Sequence, residues 1–479
     1  MFCQGPIHAA IHALNCNGLW HGNTAPASHG TWPLPLADAA FPFPFACALI
    51  RSRARNQNNS PGGPIRASSL PAPGVSRTTM SLDATKKPLN VAVIGCGLLA
   101  RSQHIPNILA CADTRLHTCC DLDEGVLHAL KSQHPGLKTT TDFRSAVADP
   151  EVDLLVVATT EHFRLPIYEA ALAARKPVLT EKPLAATLPE ARQVRDMVVA
   201  AGIPFCVGHN RRCSPAMAAA RAIFRRHMAQ PRPCPWRFRR PGWEQVRDVV
   251  GDEEQMPAVS LRINDDWMSW KSVHLQGDNA EYGLLLSEMT HFADLACWFM
   301  DAEPRRVGVL SSGVLNHATV IEFDGGGIAS IFMSGNGTFG YPKELLEAFG
   351  RGGAVIVDHM LEVRTAGIAD APARKTYPFL NDRHPHLGAQ GGLAGWLEKK
   401  QAAREESLRA GNADWISIAE PDKGHARMLS AFVEEIRGSR ADPVSPVADA
   451  VRAVEICAAA IRSFREQRFV DIAELRDAH

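Results

Sequence analysis

Residues 89–110, LNVAVIGCGLLARSQHIPNILA, decide the fold. An apolar run reads as a buried strand, the glycines as a turn, and the remainder as a stretch of helical spacing. Gly95, Gly97 and Ala100 form G-x-G-x-x-A. The first glycine allows a tight turn, the second lets a pyrophosphate approach the backbone, and the small third residue lets helix and strand pack closely. The helix N-terminus then presents free N–H groups and the positive end of its dipole to a phosphate. Gly95, Gly97, Leu98 and Leu99 are thus candidate cofactor-binding residues. RLHTCCD (115–121) reads as a second strand ending in Asp121, where a ribose-binding acid belongs. A carboxylate there accepts bonds from a 2′-hydroxyl and repels a 2′-phosphate, which favours NAD and leaves NADP possible. The competing reading is that Asp121 only starts the turn DLDEG.

Strand and helix signals keep alternating: VDLLVVATT (152–160), LPIYEAALAAR (165–175), PVLTEKP (177–183), LPEARQVRDMVVAAG (188–202) and IPFCVGHNRR (203–212). Strands written as continuous apolar runs predict a parallel, doubly wound sheet covered on both faces. Ligands bind beyond the carboxyl ends of such strands. The glycine loop, Thr159 to Glu161, and Glu181-Lys182-Pro183 all fall on that edge, so one crevice is expected to hold them.

The 479 residues carry 46% apolar and 21% charged side chains, enough for a large core in two or three domains. Lys+Arg and Asp+Glu both total 51, so no global field draws the chain to nucleic acid or an anionic membrane. No stretch approaches the roughly 18 uninterrupted apolar residues of a spanning helix. The twelve cysteines show no C-x-x-C pair and read as reduced thiols of a cytoplasmic protein. Residues 1–80 differ from the rest, with ten of the 33 prolines, five arginines, no lysine and Asp38 as the only acid. They read as a disordered extension or an over-long start before Met80, a targeting peptide being the alternative.

The glycine loop, the ATT segment, EKPLA (181–185) and VGHNRR (207–212) together resemble the Gfo/Idh/MocA oxidoreductases. NRRCSP (210–215) and SEMTHFAD (287–294) resemble a branch of that family with NRRFSP and G-E-x-x-H-F-x-D segments. The resemblance runs from about residue 88 to the C-terminus. It implies a Rossmann domain over 88–210 and, over 211–440, an α/β domain with a large open, mostly antiparallel sheet. It sends a helix and tail, 441–479, back towards the first domain. The implied activity is hydride transfer between NAD(P) and a carbinol carbon of a sugar, sugar derivative or cyclitol. A homodimer or homotetramer through the broad sheet is also implied. Two alternatives stand beside this: redox-neutral glycoside cleavage with held NAD, and a non-catalytic nucleotide-binding sensor.

By the same resemblance Lys182 is the catalytic lysine. An ammonium at a strand end can hydrogen-bond the reacting oxygen and stabilise charge developing on it. His291 is the proposed acid/base, since imidazole titrates near neutrality. Many relatives carry an aspartate where Ser287 stands here, so Glu288 is the candidate replacement, on one helix (283–300) with Leu284 and His291. Asp294 either orients the imidazole or caps backbone. Thr159, Glu181 and Lys182 are expected at the cofactor, and Arg211, Asn264, Trp267, Ser287 and His291 at the substrate. Trp270 is a further stacking candidate. Arg164 stands where relatives have histidine and is expected in a surface pair with Glu161, contact with an acidic substrate group being the alternative. No metal site is expected, because DRHPH (382–386) lacks a matching ligand set.

Overall fold

The computed structural model describes residues 87–230, 256–266, 284–382, 385–411, 419–440 and 444–476. The first eighty residues, Trp267 and Trp270 lie outside the described residues.

Six parallel strands form the first sheet: β1 Leu89–Ile94, β2 Thr114–Cys120, β3 Lys138–Thr140, β4 Leu154–Val157, β5 Val178–Thr180 and β6 Phe205–Val207. Their spatial order is β3-β2-β1-β4-β5-β6. Chain order reverses between β1 and β4, which opens a crevice at their carboxyl ends. Every residue of β1, β4, β5 and β6 is buried, as a sheet covered on both faces requires. Asp123 caps the helix Glu124–Gln133 by accepting from the Gly125 and Val126 N–H groups.

Nine strands form the second sheet: β7 Ala258–Asn264, β8 Pro304–Ser311, β9 Asn316–Phe323, β10 Ile328–Ser334, β11 Glu344–Gly350, β12 Gly353–Asp358, β13 Glu362–Ala366, β14 Arg374–Thr376 and β17 Val470–Asp471, in the order β14-β13-β12-β11-β7-β10-β9-β8-β17. β7 and β10 run parallel, and every other neighbouring pair is antiparallel. A separate two-stranded ribbon joins β15 Phe379–Asp382 to β16 Ala419–Pro421. In β10 burial alternates residue by residue, so Ala329, Ile331 and Met333 face the helices while Ile328 and Phe332 face outward.

Two late helices close the first sheet, and one of them ties it to the second. Val447–Glu466 gives Val447, Ala450, Val451 and Val454 to the core of the first sheet. One turn on, it gives Ile456, Cys457 and Ala460 to the core of the second. His425–Ile436 closes the opposite face of the first sheet, where Met428, Leu429 and Phe432 pack with Val91, Val93 and Ile108. Burying these apolar side chains, at about 1.5–3 kcal/mol each, fixes the carboxyl edge of the parallel sheet against the second domain.

Candidate active site

The turn after β1 is built as the glycines require. Gly95 has φ 87°, and a Cβ there would lie 2.7 Å from the Thr159 nitrogen, so only glycine fits. A Cβ on Gly97 would meet nothing within 4 Å, which leaves the backbone open to a ligand. Helix follows at once, with a π turn over Ala100–His104 leading into Ile105–Ala110. Leu98 and Leu99 project outward and share a cavity with Leu380, Pro421 and Lys423. Asp121 stands at the end of β2 and does two things. Its Oδ2 accepts from the Cys96 N–H at 2.6 Å and its Oδ1 from the Asp123 N–H at 2.9 Å. The turn reading and the loop contact are thus both realised, and each carboxylate oxygen keeps a further lone pair for a ribose hydroxyl. Thr159 Oγ1 is buried without a partner at the edge of the crevice. An open glycine backbone, an acid with spare acceptors and an orphaned hydroxyl fit a dinucleotide.

Lys182 leaves the end of β5 and crosses to the second domain. Its Nζ donates to the Ser287 carbonyl at 2.9 Å and lies 3.2 Å from Glu288 Oε2. The predicted continuous helix is broken here: Leu284–Ser287 and Met289–Met300 are separate, with Glu288 at the N-cap between them. Glu288 keeps a right-handed helical backbone, its carbonyl accepts from the His291 N–H at 3.2 Å, and its carboxylate meets Lys182. Glu288 Oε1 also meets Lys343 Nζ at 2.9 Å and Arg211 Nη2 at 3.8 Å. Burial alone would raise its pKa, but Lys343, Lys182 and the other cations prevail and hold it well below the usual carboxylate range. An anion so held is a poor proton acceptor and a good anchor.

His291 is buried and its Nδ1 has no hydrogen-bond partner. Burial, followed by the nearby Arg211 and Lys182 charges, pushes its pKa well below the usual imidazole value, so the ring is neutral at physiological pH. Ser287 Oγ is likewise buried and unpartnered. Asp294 neither orients His291 nor caps backbone. It pairs with Arg212 and lies 3.2 Å from His209 Nδ1, and the His209 ring faces His291 edge-on at 6.3 Å.

Several expected residues serve other ends. Arg211 is buried and spends its fork on Glu344, at 2.7 Å. Asn264 spends its amide on the loop beyond β10, donating to the Thr338 carbonyl at 2.7 Å and accepting from the Thr338 N–H at 3.2 Å. Glu181 accepts from His104 Nε2, on the turn that follows the glycine loop, at 2.7 Å. Burial opposes its ionisation, yet the His104 bond and nearby positive charge lower its pKa to about 2. Arg164 is buried, not on the surface, and binds backbone carbonyls in place of Glu161. The sequence reading missed Lys343, Glu344, Asp265 and His209. Lys343 bridges Glu288 and Asp265, the latter at 2.8 Å. Charged residues set beside the apolar strand LLEAF were the available signal.

Residues 89–209 match the model of a family described as "Oxidoreductase family, NAD-binding Rossmann fold". An inositol 2-dehydrogenase of Saccharopolyspora erythraea is 34% identical over 130 residues, 27% of this chain and 38% of that protein. The chain thus spans well under half the length of that relative. A myo-inositol 2-dehydrogenase of Thermotoga maritima is 24% identical over 296 residues, 61% of this chain and 83% of that protein. The crystal structure of myo-inositol dehydrogenase from Lactobacillus casei in complex with NAD(H) and myo-inositol superposes with a TM-score of 0.54 at 19% identity. That likeness covers 80% of this chain and 96% of the other, and at this identity it speaks to the fold.

Proposed function

Through residues 89–209 the chain belongs to the Gfo/Idh/MocA oxidoreductases, and from that premise we propose that it is an NAD-dependent dehydrogenase acting on a carbinol carbon of a sugar, sugar derivative or cyclitol. The observation that carries the reading is Lys182 Nζ beside Ser287 and Glu288, next to the buried neutral His291, at the carboxyl edge of the parallel sheet. Gly95, Gly97, Leu98, Leu99, Asp121 and Thr159 would hold NAD, whose nicotinamide ring, when bound, supplies the hydride acceptor. Asp121 favours NAD over NADP because a carboxylate at the ribose repels a 2′-phosphate.

In this reading the Lys182 ammonium donates to the carbinol oxygen and stabilises the charge that develops there. Glu288 anchors that ammonium at 3.2 Å and so aims it. The neutral His291 imidazole takes the hydroxyl proton. The unpartnered Ser287 Oγ is a ready hydrogen-bond group for a further hydroxyl. The sensor alternative drew on the absence of an aspartate at 287, and it loses ground because Glu288 supplies a carboxylate to Lys182. NADH formation across aldoses, inositols, uronates and amino sugars, after checking the purified protein for bound NAD, tests the proposal. Binding of NAD without turnover of any of them would overturn it.

The outward row of Leu310, Ala318 and Phe332 on neighbouring strands β8, β9 and β10 supports pairing of this sheet with a second copy, as homodimer or homotetramer. A monomeric mass by light scattering would sink that part. Among the described residues no helix is long and apolar enough to cross a membrane. The eight cysteines found free there accord with the proposed cytoplasmic setting.

A further inference from the structure

Arg164 follows the strand end that carries Thr159 and is 3% exposed. Its Nε and Nη2 donate to the Thr159 carbonyl at 2.9 and 2.6 Å. Its Nη1 donates to the Glu181 carbonyl at 2.6 Å and to the Pro183 carbonyl as well. Glu181 and Pro183 are the two neighbours of Lys182. The main chain of Thr159 in turn lies against Gly95, where an added Cβ would come within 2.7 Å of the Thr159 nitrogen. One guanidinium therefore bridges the strand end that abuts the glycine loop to both sides of Lys182.

We propose that Arg164 is a positioning residue: it sets the main chain on both sides of Lys182 at a fixed distance from the cofactor seat, and so aims the ammonium. The chemistry asks for this residue type. A lysine has a flexible four-carbon stem, so the placement of its Nζ inherits any looseness of its main chain. A planar guanidinium offers five donors in a rigid fork and can hold carbonyls on two strand ends at once; a neutral imidazole has a single donor, and a lysine ammonium has three but no fixed fork. The Glu181 side chain is held separately by His104 at 2.7 Å, so Arg164 governs the carbonyls while His104 governs the carboxylate. The proposal rests on the assigned role of Lys182.

The test compares Arg164→Met, Arg164→Lys and Lys182→Ala with the wild type. The readouts are crystal structures with NAD+, NAD+ affinity by calorimetry, and NADH formation from the polyol that the wild type turns over fastest. Arg164→Met should displace residues 181–183 and cut turnover about 100-fold, the cost of misplacing a reacting group by about an ångström. Its NAD+ affinity should stay within about threefold of wild type, because the contacts of the glycine loop remain. Arg164→Lys should lie between, and it carries the test if Arg164→Met does not fold. An unmoved 181–183 segment, or turnover within about threefold of wild type beside an inactive Lys182→Ala, would overturn the brace alone. Wild-type turnover by Lys182→Ala would instead overturn the reading of Lys182 on which the brace depends.

Discussion

Lys182 and Glu288, 106 residues apart in the chain, meet at 3.2 Å across the seam between the two sheets. The pair is part of a chain of alternating charge: Lys182, Glu288, Lys343 and Asp265 follow one another at 3.2, 2.9 and 2.8 Å. Arg211 and Glu344 lie alongside. Each charge in such a buried set is tolerable only because its neighbours compensate it.

Glu288→Gln keeps the shape of the side chain and removes its charge, leaving Lys182, Lys343 and Arg211 crowded together. Breaking a buried pair from one side costs about 3–5 kcal/mol, so urea unfolding should shift accordingly. Turnover should fall by about two orders of magnitude as Lys182 loses its anchor. A variant with wild-type stability and turnover would show that the carboxylate neither anchors nor assists.

The pH dependence of kcat/KM follows from His291. Its pKa is lowered first by burial and then by Arg211 and Lys182, so a base at this position stays unprotonated below the usual imidazole value of 6.5. The acid limb of the profile should accordingly lie below pH 6.5, and His291→Asn should remove the limb along with most of the rate. An acid limb at or above pH 6.5 in the wild type would contradict this assignment.

The first sheet was legible because each of its fully buried strands is a continuous apolar run and its decisive turn is written in glycines. Lys182 was legible because EKP follows that turn at a recognisable spacing. Arg164 was not, since its partners are backbone carbonyls on two strand ends that come together only when the sheet closes. β7 went unread although AVSLRIN alternates apolar and polar residues with the period of a half-buried strand; its central place between β10 and β11 is a tertiary fact. The break at Glu288 went unseen because GLLLSEMTHFADL has unbroken helical spacing, and the tertiary pull of three cations on one carboxylate is not a property of the local sequence.

Asp121 accepts the Cys96 N–H through one oxygen and the Asp123 N–H through the other, so Asp121→Asn gives up one of these two bonds together with the charge. Asp121→Asn keeps an acceptor and removes the charge. NAD+ should bind about tenfold more weakly, the worth of roughly one charge-assisted hydrogen bond. NADP+ should gain relative to NAD+, since the carboxylate that repels its 2′-phosphate is gone. An unchanged NAD+/NADP+ affinity ratio by calorimetry would remove Asp121 from the ribose.

Stability should fall with acid well before the carboxylates titrate. Burial first, with Lys423 assisting, lowers the pKa of His359 from 6.5 to about 3. Burial does the same to His425, again to about 3. His359 Nδ1 accepts the Lys343 N–H at 3.1 Å and its ring lies edge-on to Trp396 at 4.6 Å, so a proton on Nδ1 would face a donor and lose that bond. The sign follows from proton counting: below pH 6.5 the unfolded chain binds a proton at each of these positions and the folded chain does not. The contribution is therefore complete above pH 6.5 and is lost as the pH falls towards about 3. Once the unfolded imidazole is fully protonated, each histidine costs about 1.4 kcal/mol per pH unit. His359→Gln retains an acceptor for the Lys343 N–H but cannot take up a proton. Equilibrium urea unfolding between pH 6 and 4 should show a stability slope shallower by about 1.4 kcal/mol per pH unit in this variant. Parallel slopes for variant and wild type would mean that His359 is already charged in the fold.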